Sequence, residues 1–272
     1  MMEDVAIVGR KTFFIAPDRS LVTDSCLERL MSHGYEAYVI PDDGMCAMKK
    51  KVEDIIRLFP GCILYFNVDA RVPGIDWKSY VKEMCVKVRL GARVGVVIKA
   101  RASAEDRYQL ENYYHGEVKV NAGMLELSGN GADDYTLILE ALARTGALGR
   151  RKIVRADADA ASTVIFPNMV TARLKDISRT YFCCVFDEIP DARIYDRFNG
   201  LTVNFNGLTF TSDAVLIMKH SRSGVNCCVF MFVKEDGSPE LETAQKELLN
   251  KRIYNMLTAG QKGEMERAFT SV

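Results

Sequence analysis

Long apolar runs, paired cysteine ligands and the common nucleotide-binding and protease signatures are all missing from this 272-residue sequence. The longest apolar run near the C-terminus, Cys227 to Val233, is far too short to span a bilayer, so no membrane insertion is expected. Met1-Met2-Glu3-Asp4 has neither a basic region nor a long apolar core, and no signal peptide is expected there. Eight cysteines (Cys26, Cys46, Cys62, Cys85, Cys183, Cys184, Cys227 and Cys228) show no C-x-x-C spacing. They sit mostly in apolar runs and read as buried thiols of a reducing cytoplasm, not as disulfides or zinc ligands. Half of each vicinal pair should face a core, because alternate residues of a strand point to opposite sides. Net charge is zero, with 36 basic and 36 acidic residues, so the overall footprint of a nucleic-acid-polymer or anionic-membrane binder is absent. There is no P-loop, no G-x-G-x-x-G and no H-E-x-x-H. His33, His115 and His220 lie far apart without metal-ligand spacing and are expected at the surface or at helix ends. With no metal-binding acidic cluster and no catalytic base, the chain reads as a cytoplasmic non-enzyme without cofactor or metal.

What is present is ordinary globular composition, 48% hydrophobic and 26% charged, which predicts a chain folded throughout. Its length suits two domains. In the first half, short apolar runs alternate with helical patterns. Thr12–Ala16 reads as a strand covered on both faces. A helix capped by Asp18 or Ser20 follows, with Leu21, Leu27, Leu30 and Met31 at helical spacing, and His33-Gly34 stops it. Tyr35–Ile40 is then a strand, 46–59 a helix, Cys62–Val68 a strand, 76–90 a helix, Arg93–Ile98 a strand, 103–114 a helix, Glu117–Val120 a strand and 133–146 a helix. Five strands alternating with five helices predict a doubly wound parallel sheet with its functional edge at the carboxyl ends of the strands.

Within that pattern, Ile15-Ala16-Pro17-Asp18, His33-Gly34-Tyr35-Glu36 and Asp69-Ala70-Arg71-Val72-Pro73-Gly74-Ile75-Asp76 resemble segments of response-regulator receiver domains. The resemblance implies a flavodoxin-like fold, with Asp69 at the phosphoacceptor position and Asp18 at one magnesium-binding acid. Pro17 replaces the second acid, Lys99 falls where a Thr or Ser belongs, and Lys119 is the counterpart of the receiver lysine without its usual Pro. A divalent ion is held largely by oxygen charge, so losing one carboxylate weakens the site. A Lys99 ammonium close to Asp69 would neutralise it. The domain reads as a structural, degenerate receiver.

From about residue 151 the texture changes. Ser162–Phe166, Val170–Lys175, Tyr181–Phe186, Leu201–Phe205, Leu208–Thr211, Ala214–His220 and Val225–Val233 are short β-type runs separated by turn signals such as Asn199-Gly200, Asn206-Gly207 and Ser223-Gly224. They predict an antiparallel barrel or sandwich. Leu241, Ala244, Leu248, Leu249, Ile253, Met256 and Leu257 then mark one face of a final helix. Ahead of the β region lies Arg150-Arg151-Lys152-Ile153-Val154-Arg155, four positive charges within six residues. Taken alone, such a cluster reads as a solvated basic linker. Twenty-one positions after Arg155 comes Asp176-Ile177-Ser178 at a predicted strand end. An arginine fork grips phosphate oxygens with charge-assisted hydrogen bonds and stacks on a nucleobase, and Asp and Ser can read a guanine edge.

Arg150-Arg151-x-x-x-Arg155 at the entry to a small β barrel, followed by Asp176-x-Ser178, more strands and a C-terminal helix, resembles a PilZ domain over roughly residues 148–258. The resemblance implies domains at 1–147 (receiver-like α/β) and 148–272 (PilZ-like barrel with helix). It also implies cyclic di-GMP as ligand, with Arg151 and Arg155 as the motif arginines, Arg150 as the common preceding basic residue, and Asp176 and Ser178 contacting guanine. The closing glycine of the second motif falls on Tyr181, a residue less suited to a tight turn but able to stack on a base. The reading is recognition without chemistry. Ligand would order the 148–156 linker and alter inter-domain geometry and the binding of a downstream protein, in motility, adhesion or envelope behaviour. The alternatives are a ligand-free PilZ-fold adaptor for protein–protein interaction and a phosphorelay protein using Asp69.

Overall fold

The computed structural model describes residues 9–44, 46–88, 91–100, 103–149, 153–167, 170–222 and 224–270. The chain divides into two compact units, Met1–Lys152 with Gly260–Val272, and Ile153–Ala259. Among the described residues of the first unit, five strands β1 (Thr12–Ile15), β2 (Ala37–Ile40), β3 (Ile63–Asn67), β4 (Arg93–Lys99) and β5 (Gly123–Leu127) form one sheet in the order β2-β1-β3-β4-β5. Every pairing is parallel. The cause is visible in the runs themselves: Thr-Phe-Phe-Ile and Ile-Leu-Tyr-Phe-Asn are buried at every position, as strands covered on both faces must be. The order reverses direction between β1 and β3, which is the switch point of a doubly wound sheet.

The alternating helices are α1 (Asp24–Ser32), α2 (Met48–Leu58), α3 (Trp77–Lys87), α4 (Ala104–Glu111) and α5 (Gly131–Arg144). Thr23, Asp76 and Ser103 cap three of them by accepting from the backbone N–H of Cys26, Ser79 and Asp106. Neither Asp18 nor Ser20 is a helix cap, contrary to the expectation from sequence. Asp18 accepts from the N–H and hydroxyl of Ser20 and closes a turn one step earlier, so the helix begins at Asp24. A second correction concerns 117–120. Asn112–Val118 is a π-helical continuation of α4 that buries Tyr114 and Val118, and the strand lies further on at β5. Gly95 of β4 is required by packing: a Cβ there would meet the Tyr65 ring at 2.5 Å and the Gly123 carbonyl oxygen at 2.8 Å.

In the second unit, β7 (Thr163–Ile165), β8 (Thr171–Ile177), β9 (Tyr181–Phe186), β10 (Arg197–Phe205), β11 (Leu208–Arg222) and β12 (Val225–Val233) pair antiparallel in the order β8-β7-β10-β11-β12-β9, and β9 pairs back onto β8. A six-stranded antiparallel barrel results, with the two-residue strand β6 (Ala156–Asp157) attached to β8. Closure removes the unpaired edges that an open sheet would expose. The Asn206-Gly207 turn behaves as its sequence predicts, both residues taking positive φ (48° and 83°) between Phe205 and Leu208. The barrel interior is aromatic: Phe166, Phe182, Phe186, Phe230 and Phe232 are buried with Leu174, Leu201, Val203 and Leu216.

The expected strands 208–211 and 214–220 are one 15-residue strand, β11. Its polar middle is accommodated because Asp213 accepts from Arg197 Nη2 (2.7 Å) and the Gly200 N–H (2.8 Å). The last helix, α6, runs Thr243–Thr270. Leu249 and Ile253 enter the barrel core, whereas Ala244 and Leu248 face outward, so the apolar face is narrower than its sequence pattern. Arg252 donates to the Asn206 carbonyl, and Asn206 Nδ2 meets Met256 Sδ at 3.0 Å, tying this helix to the barrel turn. Among the described residues, no helix is long and apolar enough to cross a membrane.

Candidate functional site

Arg155 stands one residue ahead of β6, where antiparallel pairing sets Ala156 opposite Ile177 and Asp157 opposite Asp176. That register brings the chain's Arg155 and Asp176, 21 residues apart, together: Arg155 Nη1 donates to Asp176 Oδ1 at 3.1 Å. A bulge between Leu174 and Asp176 shifts the β8–β9 register and places Asp176 opposite Cys183. Both charged side chains are partly open, 33% exposed for Arg155 and 16% for Asp176, so the guanidinium retains donors accessible from solvent. Arg150 and Arg151 lie outside the described residues.

Ser178 follows β8 directly and is buried. Its hydroxyl donates to the Tyr181 carbonyl (3.0 Å) and accepts from the Tyr181 N–H (3.0 Å), and its own N–H donates to the same carbonyl (2.7 Å). Ser178 thus fastens the two-residue turn Arg179-Thr180 that joins β8 to β9. Tyr181, at the position where the motif has glycine, opens β9 in extended backbone without positive φ, so the conformation there places no demand for glycine.

The vicinal cysteines flank this site. Cys184 and Cys228 oppose each other directly across β9 and β12 and belong to the core, as alternation requires. Cys183 and Cys227, on the other face, are buried as well. Desolvation, then the Asp176 carboxylate, pushes the Cys183 thiol up to about 12, and burial pushes Cys62 to about 12 and Cys26 and Cys85 to about 11. The thiolate is the reactive form. Alkylation of the native protein at pH 8 is therefore expected to label half-buried Cys46 and to spare these four until the fold is unfolded, as peptide mapping by mass spectrometry will read.

At the carboxyl edge of the parallel sheet, Ala16, Pro17, Asp18, Leu21, Asn67, Asp69, Ala70 and Lys99 line a cavity of about 280 Å³. A second of about 260 Å³ adjoins it over Val39, Pro41, Arg19 and Arg71, sharing Ala16, Pro17 and Ala70. The sheet thus brings Asp18 and Asp69 to one cavity. Asp69 Oδ2 accepts from the backbone N–H of Lys99 at 2.8 Å, and Asn67 spans β1 and β3 by donating to the Ala16 carbonyl. Hydrogen bonds from Ser20 hold the Asp18 carboxyl below its usual range. Lys119 takes positive φ at the end of the π-helical segment and precedes β5, at the opposite edge of the sheet from Asp69. Among the described residues no group of three or more His, Cys, Asp or Glu side chains is arranged to hold a metal. His33 closes α1 as a helix-end residue, its Nδ1 3.0 Å from the Tyr135 hydroxyl.

Tyr195, 76% exposed in the loop before β10, is held at φ 75°. A bulky residue at positive φ is strained, and nothing in Arg193-Ile194-Tyr195-Asp196 signals it.

No protein-family model and no curated protein matches the chain. Among solved structures it is similar to the Bacillus subtilis inhibitor of motility MotI/DgrA, at 13% identity and TM-score 0.33 over 40% of this chain and 52% of that one. It is similar also to Escherichia coli YcgR in complex with cyclic di-GMP, at 18% identity and TM-score 0.33 over 44% and 50%. An uncharacterised Legionella protein matches at 17% identity and TM-score 0.29 over 38% of this chain and 97% of its own. The chain spans about half the length of the first two of these proteins.

Proposed function

We propose that this chain is a receptor for cyclic di-GMP, a PilZ-type barrel joined to a degenerate receiver-like domain, which converts second-messenger level into altered binding of a downstream protein in motility or envelope behaviour. The observation that carries the reading is the Arg155–Asp176 pair, 3.1 Å apart and partly open to solvent, whose arginine is the last of the arginine-rich run in the sequence. It sets a cationic fork beside a carboxylate acceptor, the two chemistries that a guanine nucleotide with phosphates needs. Arg151 and Arg155 grip phosphate, Arg150 adds charge, and Asp176 accepts from the guanine N1 and N2 hydrogens. Ser178 holds the turn that presents Asp176. Ligand ordering of the 148–156 segment is the coupling step. No bond is made or broken.

Titration calorimetry of cyclic di-GMP into the full chain is expected to give saturable heat, with a dissociation constant on the order of tens of micromolar or tighter. No heat in that range ends the proposal. One observation favours the ligand-free adaptor instead: the Ser178 hydroxyl is committed to Tyr181, and Asp176 already has Arg155. That reading requires a partner whose capture is indifferent to added nucleotide, and a nucleotide-dependent change in capture rejects it.

A further inference from the structure

The chain passes between its units twice, and the second passage lies inside a continuous helix, where the division falls between Ala259 and Gly260 of α6. Glycine is a poor helix former: each one lowers local helix stability about fivefold relative to alanine. Here Gly260 and Gly263 occur within one turn of each other at the division. Close packing is the usual reason to keep glycine in a helix, yet a Cβ at either position would meet nothing within 4 Å. The same turn holds the Thr258 hydroxyl, buried and without a hydrogen-bond partner. Gln261, though buried, donates to Glu264 in the helix itself.

Both flanks are anchored. Leu249 and Ile253 are part of the barrel core. On the far side, Met265 is buried, and the Ala268 and Phe269 carbonyls accept from Lys50 Nζ at 3.3 and 3.4 Å, a cation at the negative end of the helix dipole. The Phe269 ring lies 5.8 Å from the ammonium of buried Lys51, which also donates to the Pro41 carbonyl at 2.9 Å.

We infer that Thr258–Gly263 is a helical hinge, a turn that opens while the helix on either side stays folded. Strong anchors at both ends, with a turn between them weakened by two glycines that no packing requires, concentrate bending at that turn. The inference stands independently of any ligand.

Amide hydrogen exchange on the full chain tests it. Amides 259–263 are expected to exchange at least about tenfold faster than 250–256 and also faster than 265–268. Protection that is uniform across α6, or that simply decays toward residue 270 as in a fraying end, overturns the hinge. The Gly260→Ala/Gly263→Ala double variant, substituted where space is open, is expected to slow exchange at 259–263 by about 25-fold and to leave the barrel strands unchanged. Unaltered exchange in that variant also overturns it.

Discussion

Replacing Phe230 with alanine is expected to destabilise the barrel by about 3–5 kcal/mol, the range for a large aromatic removed from a core that cannot collapse around the void. Its ring stacks on Phe182 at 5.1 Å and lies 5.4 Å from Phe166, 5.7 Å from Phe198 and 6.4 Å from Phe186, so four rings lose a partner together. For a unit of this size the loss corresponds to a fall on the order of 15–30 °C in its thermal midpoint. Phe230→Leu, which keeps most of the volume, should cost about 1–2 kcal/mol. Alanine in place of Ile165, 37% exposed on the outer surface, should stay within about 0.5 kcal/mol. Calorimetric unfolding separates the three. A Phe230→Ala loss below about 1 kcal/mol would show that the aromatic cluster does not hold the barrel.

Arg155→Ala is expected to weaken cyclic di-GMP binding by about 100-fold, since it removes a fork able to make two charge-assisted hydrogen bonds to phosphate. The cost has a second source. Asp176, 16% exposed, is left without its guanidinium partner, so the variant should also lose about 1 kcal/mol of stability. Substitutions at Asp176 separate the two roles. Asn retains one acceptor oxygen and releases Arg155 from an ion pair that the ligand must otherwise compete with, but it turns an NH2 donor toward the second guanine hydrogen, so affinity should fall by about threefold to fivefold. Asp176→Ala loses the acceptor and should bind about tenfold more weakly. Ser178→Ala should act on stability more than on affinity, because its hydroxyl closes the turn with Tyr181. Binding undiminished in Arg155→Ala rules out this geometry as the ligand site.

The parallel sheet was legible because burial on both faces forces continuous apolar runs, and Thr12–Ile15 and Ile63–Asn67 are such runs. Residues 117–120 misled for a physical reason. Glu-Val-Lys-Val alternates like a half-buried strand, but burial of Tyr114 and Val118 four apart fits a helical turn equally well over so short a span. The strand that does exist, Gly123–Leu127, opens on glycine and contains Glu126, which dilutes its signal. In β11, Ser212-Asp213 looks like a turn until the Asp213 partners Arg197 and Gly200 are known, and both are distant in sequence. The site was partly readable. Asp176 and Ser178 do fall at the end of a strand, as their pattern indicates. The contact between Asp176 and Arg155 depends on β6, whose Ala-Asp alternation suits an exposed strand edge or a turn equally, and two residues are too few to show which strand they pair with.

Lys50 and the carbonyls it caps are separated by 218 and 219 positions in the chain. The first unit therefore draws its closing segment from residues translated after the whole barrel. While the ribosome is still making that barrel, the nascent first unit lacks Met265 and Phe269, and the buried Lys51 ammonium lacks the ring that faces it in the finished protein. Contacts of such long sequence separation are slow to form. The order of synthesis thus makes the barrel the earlier of the two units to be completed, although its sequence comes second.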